Sequence, residues 1–273
     1  MIVTERANLL ELASRLPAGF EFLARVQRFY SELMGFAGRG PDMDGGPGLG
    51  GQLFYAGKSD KDGSALLVAA NVAGAASLAA TADGAAQRQT IRDGAADFLV
   101  NSLDEALRIL KNEVRRRATV AVCVGLATEL VEREMKERGV APDVWRSATG
   151  ELSCLAGTAG TGSRWAGAEG ERALLAWSVG DAPTLWLPKL DAIAVDCLAP
   201  WAKAEQRWLR RAPQYMGRLA QGRRLVACDR ETAEGFVARV RERSTVAQMG
   251  ALVEIHISAP GMCDHYRFAP RAD

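Results

Sequence analysis

The feature that most constrains the fold is an alternation of short apolar runs with helical patterns between residues 52 and 149. The apolar runs have the length of buried strands, and the segments between them repeat their apolar residues at helical spacing. The runs are 52–57, 77–83, 96–100, 119–125 and 142–145. Strands that alternate with helices favour a parallel sheet covered by helices. We therefore expect an α/β protein, a Rossmann-like three-layer sandwich with a mostly parallel sheet.

The rest of the chain is predicted to flank this unit. Residues 1–50 form an N-terminal helical arm and a glycine-rich linker, and the arm is expected to pack on the sheet domain or on a second subunit. Residues 51–150 form the Rossmann-like unit. Residues 151–273 form a second α/β part that either continues the same sheet or makes a small second domain. Its predicted strands are 173–179, 191–197, 224–229 and 251–258.

Composition excludes several classes of protein. The chain has 273 residues, 48% of them hydrophobic, which is enough for a substantial core. A formal net charge of +1 gives no electrostatic reason to expect nucleic acid or a membrane surface as partner. The five cysteines are widely spaced, which suits a reducing compartment. With no signal peptide and no spanning segment in the sequence, we expect a cytoplasmic protein.

A loop after the first predicted strand is the candidate anion site. The strand ends at Gly57, and Ser64 is predicted to cap the helix that follows. A helix N-terminus attracts anions, but a plain strand-to-helix turn explains the same sequence, so both interpretations stay open. Asp83 ends the second predicted strand, where an acid that binds ribose would lie. The candidate binding residues here are Gly57, Lys58, Ser59, Gly63, Ser64 and Asp83.

The glycine-rich stretch 35–51 is a weaker candidate for binding phosphate. It precedes the first strand, whereas the glycines of a dinucleotide fold must follow that strand. We interpret it as a linker.

Three segments resemble a known family. They are VAGAASLAATADGAAQRQTIRDGAADFLVNSLDEALRIL (72–110), TVAVCVG (119–125) and ELVEREMKERGVAPDVWRSAT (129–149). Together they are similar to the central NAD-binding domain of urocanase (urocanate hydratase), most specifically in DGAAD, LDEALRIL and ERGVAPDV. The resemblance covers residues 52–149. It implies a Rossmann-type domain that holds NAD as an electrophile, and it adds Thr81, Gly125 and Thr149 to the candidate cofactor-binding residues.

The chain differs from that family at the positions where the family binds its cofactor and where it carries out catalysis. Its loop reads GKSDKDG in place of several glycines, and the family's Gly-Asn becomes Gly125-Leu126. The run that follows the fifth strand keeps only Thr149, and no counterpart of the catalytic cysteine motif is present. We expect NAD or a related nucleotide as the cofactor, but no urocanase activity. Whether the protein is an enzyme stays open.

Further candidates lie in the second half. Asp196 and Asp229 each end a predicted strand, which makes them acid/base or ribose-binding candidates, with helix capping as the alternative for Asp229. The long loop 151–172 is either a passive cover or a binding loop. Its polar candidates are Thr158, Thr161, Ser163 and Arg164.

Both histidines have simple interpretations. The alternation of the strand puts His256 on the same face as Glu254. We interpret it as an ordinary strand histidine, with a general base as the alternative. Cys263, Asp264 and His265 lack the additional ligands that a metal site needs, so no metal site is predicted. The G-x-S-x-G, P-loop and H-E-x-x-H motifs do not occur.

Two functions follow as hypotheses. The leading one is a protein of Rossmann-like fold that binds a nucleotide or another small anionic ligand. The alternative is a non-catalytic oligomeric assembly or scaffold protein that kept the fold and lost the cofactor site. Trp201, Trp208 and Tyr215 are spaced seven residues apart, which indicates a core or subunit-interface stripe, so a homo-oligomer is expected.

Overall fold

The structure is a computed structural model that describes residues 9–37, 48–155, 172–246 and 250–269. The chain divides into two compact units. The parallel unit comprises Phe29–Arg164 and Gln214–Gly217, and the antiparallel unit comprises Met1–Arg28, Trp165–Pro213 and Arg218–Asp273.

Helices and strands alternate through the first part of the chain, as the sequence predicts. Helix α1 is described over residues 9–14 and is followed by α2 (Glu21–Met34). The next elements are β1 (Leu53–Lys58), α3 (Lys61–Ala73), β2 (Ala76–Ala80), α4 (Gly84–Arg92), β3 (Phe98–Val100), α5 (Leu103–Arg116), β4 (Val120–Val124), α6 (Thr128–Glu137), β5 (Val144–Arg146) and β6 (Leu152–Cys154).

These strands form a six-stranded sheet in the order β3-β4-β2-β1-β5-β6. All neighbouring pairs are parallel except β5 and β6, which are antiparallel. Every residue of β2 and of β4 is buried, as expected for strands covered on both faces. The predicted α/β class with a mostly parallel, helix-flanked sheet is confirmed, and it is consistent with a Rossmann-like fold.

The strand order places the helices on two faces. The crossovers after β1 and β2 progress along the sheet in one direction, and those after β3 and β4 return in the other. Because such crossovers are right-handed, α3 and α4 lie on one face and α5 and α6 on the opposite face. The packing agrees, since Leu107 of α5 and Val131 of α6 share one core cluster with Leu78 of β2.

The start of α3 differs from the prediction. The helix begins at Lys61, three residues before the expected Ser64, and its cap is Asp60, which accepts a hydrogen bond from the Gly63 amide at 2.7 Å. Aspartate caps at least as well as serine, so the earlier aspartate is used and Ser64 lies inside the first turn. Gly57 belongs to β1, where its φ of 72° accompanies an irregularity in the pairing with β2.

The antiparallel unit has its own sheet, in the order β10-β9-β7-β8 with every pair antiparallel. Its elements are β7 (Arg172–Val179), α7 (Pro183–Cys197), α8 (Lys203–Met216), the 3-10 turn Gly217–Ala220, β8 (Arg223–Asp229), α9 (Arg230–Val246), β9 (Val253–Ala259) and β10 (Met262–Phe268). Helix α1 packs on this sheet: the Ser258 hydroxyl donates to the Leu12 carbonyl at 2.8 Å, and Arg15 donates to the Ala259 carbonyl at 3.2 Å.

One predicted strand in this half is wrong. Residues 191–197 belong to helix α7, which begins with Pro183 in its first turn. Leu187, Leu190 and Ile193 are buried at helical spacing, so the apolar run that suggests a strand is the end of a helical stripe. The sequence pattern does not predict strand β10. No residue of this strand is fully buried, and its half-covered face includes the polar Asp264, so it lacks the apolar run of a buried strand.

The aromatic stripe also differs from the prediction. Trp201 lies in the turn before α8 and is 67% exposed, whereas Trp208 is buried and donates to the Leu225 carbonyl. The three aromatic residues therefore do not form one continuous face. Among the described residues, no helix has the length and apolar character required to cross a bilayer.

Candidate functional site

The carboxyl ends of β1, β2, β4 and β5 meet at one edge of the parallel sheet. The candidates that the structure gathers at this edge are Gly57, Lys58, Ser59, Gly63, Ser64, Thr81, Asp83, Gly125 and Thr149. Ligands of open α/β sheets bind beyond this edge. The edge has three parts with different chemistry: the start of α3, the gap between β2 and β4, and the turn after β5.

The start of α3 carries charges of both signs, and a side chain already caps it. Asp60 caps the helix, and Arg146 of β5 contacts the carboxylates of Asp60 at 3.2 Å and of Asp62 at 3.7 Å. A Cβ atom on Gly63 would lie 2.0 Å from the Lys58 carbonyl oxygen, so this glycine allows the backbone to turn back on itself. A pyrophosphate at this helix would face two carboxylates. The residues at the start of α3 therefore do not fit the pyrophosphate of a dinucleotide.

The Ser59 side chain makes its contacts inside the protein. It is buried, and its hydroxyl lies 2.8 Å from that of Thr90, which itself donates to the Ala86 carbonyl at 2.9 Å. Burial raises the pKa of the neighbouring Cys123 thiol to about 11, although the Ser59 contact partly opposes the shift. Ser59 and Cys123 thus stabilise the sheet edge and are not exposed for binding.

The loop after β2 carries the predicted acid. Thr81 is buried, and its amide donates to the Val124 carbonyl at 3.0 Å, which ties the loop to β4. Its hydroxyl accepts from the Asp83 amide at 3.2 Å, and Asp83 caps α4 by accepting from the Ala85 amide at 2.8 Å. Strand β2 ends at Ala80, so Asp83 does not end the strand as predicted; its exposed side chain caps α4 and faces solvent.

The loop after β4 faces this acid across the gap. The Gly125 amide donates to the Val100 carbonyl at 2.8 Å. A Cβ atom on Gly125 would lie 3.3 Å from the Gln87 amide nitrogen, 3.4 Å from the Val100 carbonyl oxygen and 3.6 Å from the Asn101 side-chain oxygen, so the absence of a side chain lets these groups pack closely against the loop. The next helix, α6, begins at Thr128, and Ala127 before it provides no side-chain cap, so the first amides are left to solvent or a ligand, with Glu129 in the same turn.

The remaining candidates lie in the turn after β5, in the antiparallel unit or outside the described residues. Thr149 is exposed in the turn after β5, where its hydroxyl is 2.8 Å from that of Ser147. Asp196 is an exposed residue inside α7 and ends no strand, which corrects its assignment as a strand-end acid. Asp229 does end β8, but in the antiparallel sheet, and it caps the start of α9 by accepting from Thr232 at 2.7 and 2.9 Å. Thr158, Thr161, Ser163 and Arg164 lie outside the described residues.

Three residues of this edge are not predicted from the sequence. Gln87 reaches back from α4 to donate to the Thr81 carbonyl at 2.9 Å, Asn101 follows β3, and Arg146 ends β5. Asn101 and Arg146 share a signal that could have found them, because each is a polar residue at the end of an apolar run. Gln87 carries no such signal, since its contact depends on the turn between β2 and α4.

The fold and this edge define a helix-flanked α/β protein with a polar carboxyl edge. Searches against protein-family models and against curated proteins find no match for this chain.

Proposed function

We propose that the chain binds a nucleotide, or a small anionic ligand of similar chemistry, in the gap between the carboxyl ends of β2 and β4. The observation that carries this proposal is that the connections after these two neighbouring parallel strands lead to opposite faces of the sheet. The connection after β2 leads to α4 on one face of the sheet, and the connection after β4 leads to α6 on the other. Loops that separate in this way leave a crevice, the usual ligand position in such sheets.

The chemistry of the two loops supports a ligand with both an anionic and a hydroxyl-bearing part. The uncapped start of α6 offers backbone amides and the positive end of the helix dipole to an anion. Asp83, on the opposite side of the gap, offers a carboxylate that accepts hydrogen bonds from ribose hydroxyls. In this proposal the phosphate lies near α6, away from the carboxylates at the start of α3.

NAD enters this proposal through the resemblance to urocanase alone. The pyrophosphate of NAD does not fit the start of α3, where Asp60 and Asp62 would repel it. A mononucleotide meets the described groups with fewer unfavourable charges. We therefore favour a mononucleotide over a dinucleotide as the ligand.

The test is isothermal titration with AMP, ADP-ribose, NAD, NADP and S-adenosylmethionine. Asp83→Asn keeps a capping side chain but removes the charge, and Gly125→Val fills the gap. We expect binding to weaken in the first variant and to be lost in the second. The control is Asp229→Asn, which makes the same change at the cap of α9 and should leave binding unchanged. The proposal is wrong if none of the ligands binds, or if Gly125→Val folds and binds as the parent does.

The second candidate function is an oligomeric assembly, and the edge strand β3 favours it. Phe98 and Leu99 of this strand are 47% and 40% exposed, and Ile91 of α4 is 40% exposed. Exposed apolar edge strands pair readily with other chains. Light scattering should show a dimer that Leu99→Lys dissociates; a monomeric parent protein at micromolar concentration would exclude this function.

A further inference from the structure

The two histidines of the chain meet on the antiparallel sheet. In the register of β9 and β10, His265 lies opposite His256, and Arg267 lies opposite Glu254. Residues directly opposite each other in an antiparallel pair share one face, and Glu254 is two residues from His256 on the same strand. Three side chains that can bind metal therefore project from the same face.

The distances bring these side chains within reach of a single ion. The two imidazole rings are stacked, with centroids 4.4 Å apart and planes inclined by 2°. His265 Nε2 is 4.0 Å from Glu254 Oε1, and one ligand atom from each of the three residues lies within 4.8 Å of the others. Ligand atoms around a tetrahedral Zn²⁺ are about 3.3 Å apart, given bonds of roughly 2.0 to 2.1 Å. An imidazole nitrogen binds metal in the plane of its ring, so at least one of the two stacked rings must turn when the ion binds, and the exposed His265 has room to do so.

The surroundings cover one side of the cluster and leave the other side open. Phe20 packs edge-on against His256 at a centroid distance of 6.2 Å, which restricts the ring on its covered side. His265 is exposed, so an ion can reach the cluster from solvent.

The positive charge of Arg267 disfavours a cation beside Glu254. Arg267 Nε lies 3.9 Å from Glu254 Oε1, with the arginine side chain 64% exposed. Such an exposed ion pair is weak, so a metal–carboxylate bond can displace it.

We propose that Glu254, His256 and His265 bind one divalent transition-metal ion, with Zn²⁺ as the reference ion. Two imidazoles and one carboxylate are a ligand set that suits Zn²⁺, and water completes the coordination. The ion would join β10 to β9 at the edge of the sheet. This site lies within the antiparallel unit and is independent of the proposed nucleotide site.

The decisive experiment uses the untagged, chelator-treated full chain and Zn²⁺ alone. Because the chain has only two histidines, its imidazole NMR spectrum contains two ring systems, and both report on the site. We expect both to shift together and to saturate at one equivalent of Zn²⁺. Mg²⁺, which prefers oxygen ligands, should leave them unchanged.

Calorimetric titration of matched variants separates the ligands. His265→Ala and Glu254→Gln should each weaken Zn²⁺ binding by at least about tenfold. Cys263→Ser is the control, because Cys263 lies on the same face of β10 but its Sγ contacts the Arg15 carbonyl, and it removes an exposed thiol that could bind Zn²⁺ by itself. Its affinity should equal that of the parent.

Three outcomes would overturn the proposal. They are the absence of saturable binding in the parent protein, unchanged affinity in His265→Ala or Glu254→Gln, and loss of binding in Cys263→Ser.

Discussion

The two sheets place their polar side chains in opposite ways. In the parallel sheet, β2 and β4 are buried from end to end, so polar side chains that face solvent lie beyond the strand ends, as Asp83 does. In the antiparallel sheet, β10 is only partly covered along its length, and His265 emerges from the middle of the strand. A strand covered on both faces can contribute to a site only at its ends. A half-covered edge strand can contribute along its whole face.

The largest expected effect is on a glycine of the parallel unit. Gly63→Val should reduce the free energy of unfolding by more than about 3 kcal/mol, because even its Cβ would lie 2.0 Å from the Lys58 carbonyl oxygen. Urea unfolding followed by circular dichroism measures the loss.

The matched glycine in the antiparallel unit is Gly235 in α9, where an added Cβ meets nothing within 4 Å. Gly235→Ala should stabilise the protein by about 0.5 to 1 kcal/mol, because alanine has less freedom to lose on folding. Equal effects of the two substitutions would contradict the close turn at Gly63.

The next effect is a pH dependence confined to the antiparallel unit. Burial raises the pKa of Glu205 in α8 from 4.5 to about 7, and Arg172 only partly offsets this. The folded state therefore holds a proton that the unfolded state has released, so this residue lowers stability as the pH rises from about 4.5 to about 7. Above pH 7 the cost is constant, at most about 3 kcal/mol.

Glu205→Gln removes this ionisation. The variant should match the parent below pH 4.5 and exceed it in stability above pH 7, as measured by chemical denaturation across that range. A stability difference that does not change with pH would show that Glu205 keeps an ordinary pKa.

A smaller effect contrasts two arginine–carboxylate pairs. Arg224 of β8 donates to Asp191 at 3.0 Å, with side chains 17% and 16% exposed. Burial raises the pKa of Asp191 even beside this arginine. Arg224→Ala should cost about 2 kcal/mol at pH 7, because it leaves a largely buried carboxylate without its cation.

The corresponding pair in the parallel unit is weaker. Asp60 and Asp62 are both 42% exposed, so Arg146→Ala should cost less than about 1 kcal/mol. Thermal unfolding of both variants in low and high salt measures the contrast, with the larger salt effect expected on the Arg146 contacts. A greater loss from Arg146→Ala would reverse our ranking of the two pairs.

The sequence alone determined the order and type of most elements in the parallel sheet. Apolar runs such as that of β4 are long enough for a strand and too short for a covering helix, and Ser102 caps α5 by accepting from the Glu105 amide. These features depend on neighbours in the chain. The same is true of the cap that Asp83 forms on α4.

Choices between nearby alternatives were decided by tertiary structure. Asp60 and Ser64 are both good caps, and the bend that brings Gly63 against the Lys58 carbonyl settles the start of α3. Residues 191–197 suit a strand or a helix by composition, and their burial at helical spacing within α7 decides for the helix.

The two candidate sites depend still more on pairing between distant segments. The connections after β2 and β4 run in opposite directions along the sheet because of the order of its strands, and the sequence pattern leaves that order open. His265 meets His256 and Glu254 only through the register of β9 and β10. Hydrophobic periodicity predicts which face of a strand is buried. Which residue lies opposite which is decided by the packing of the whole sheet.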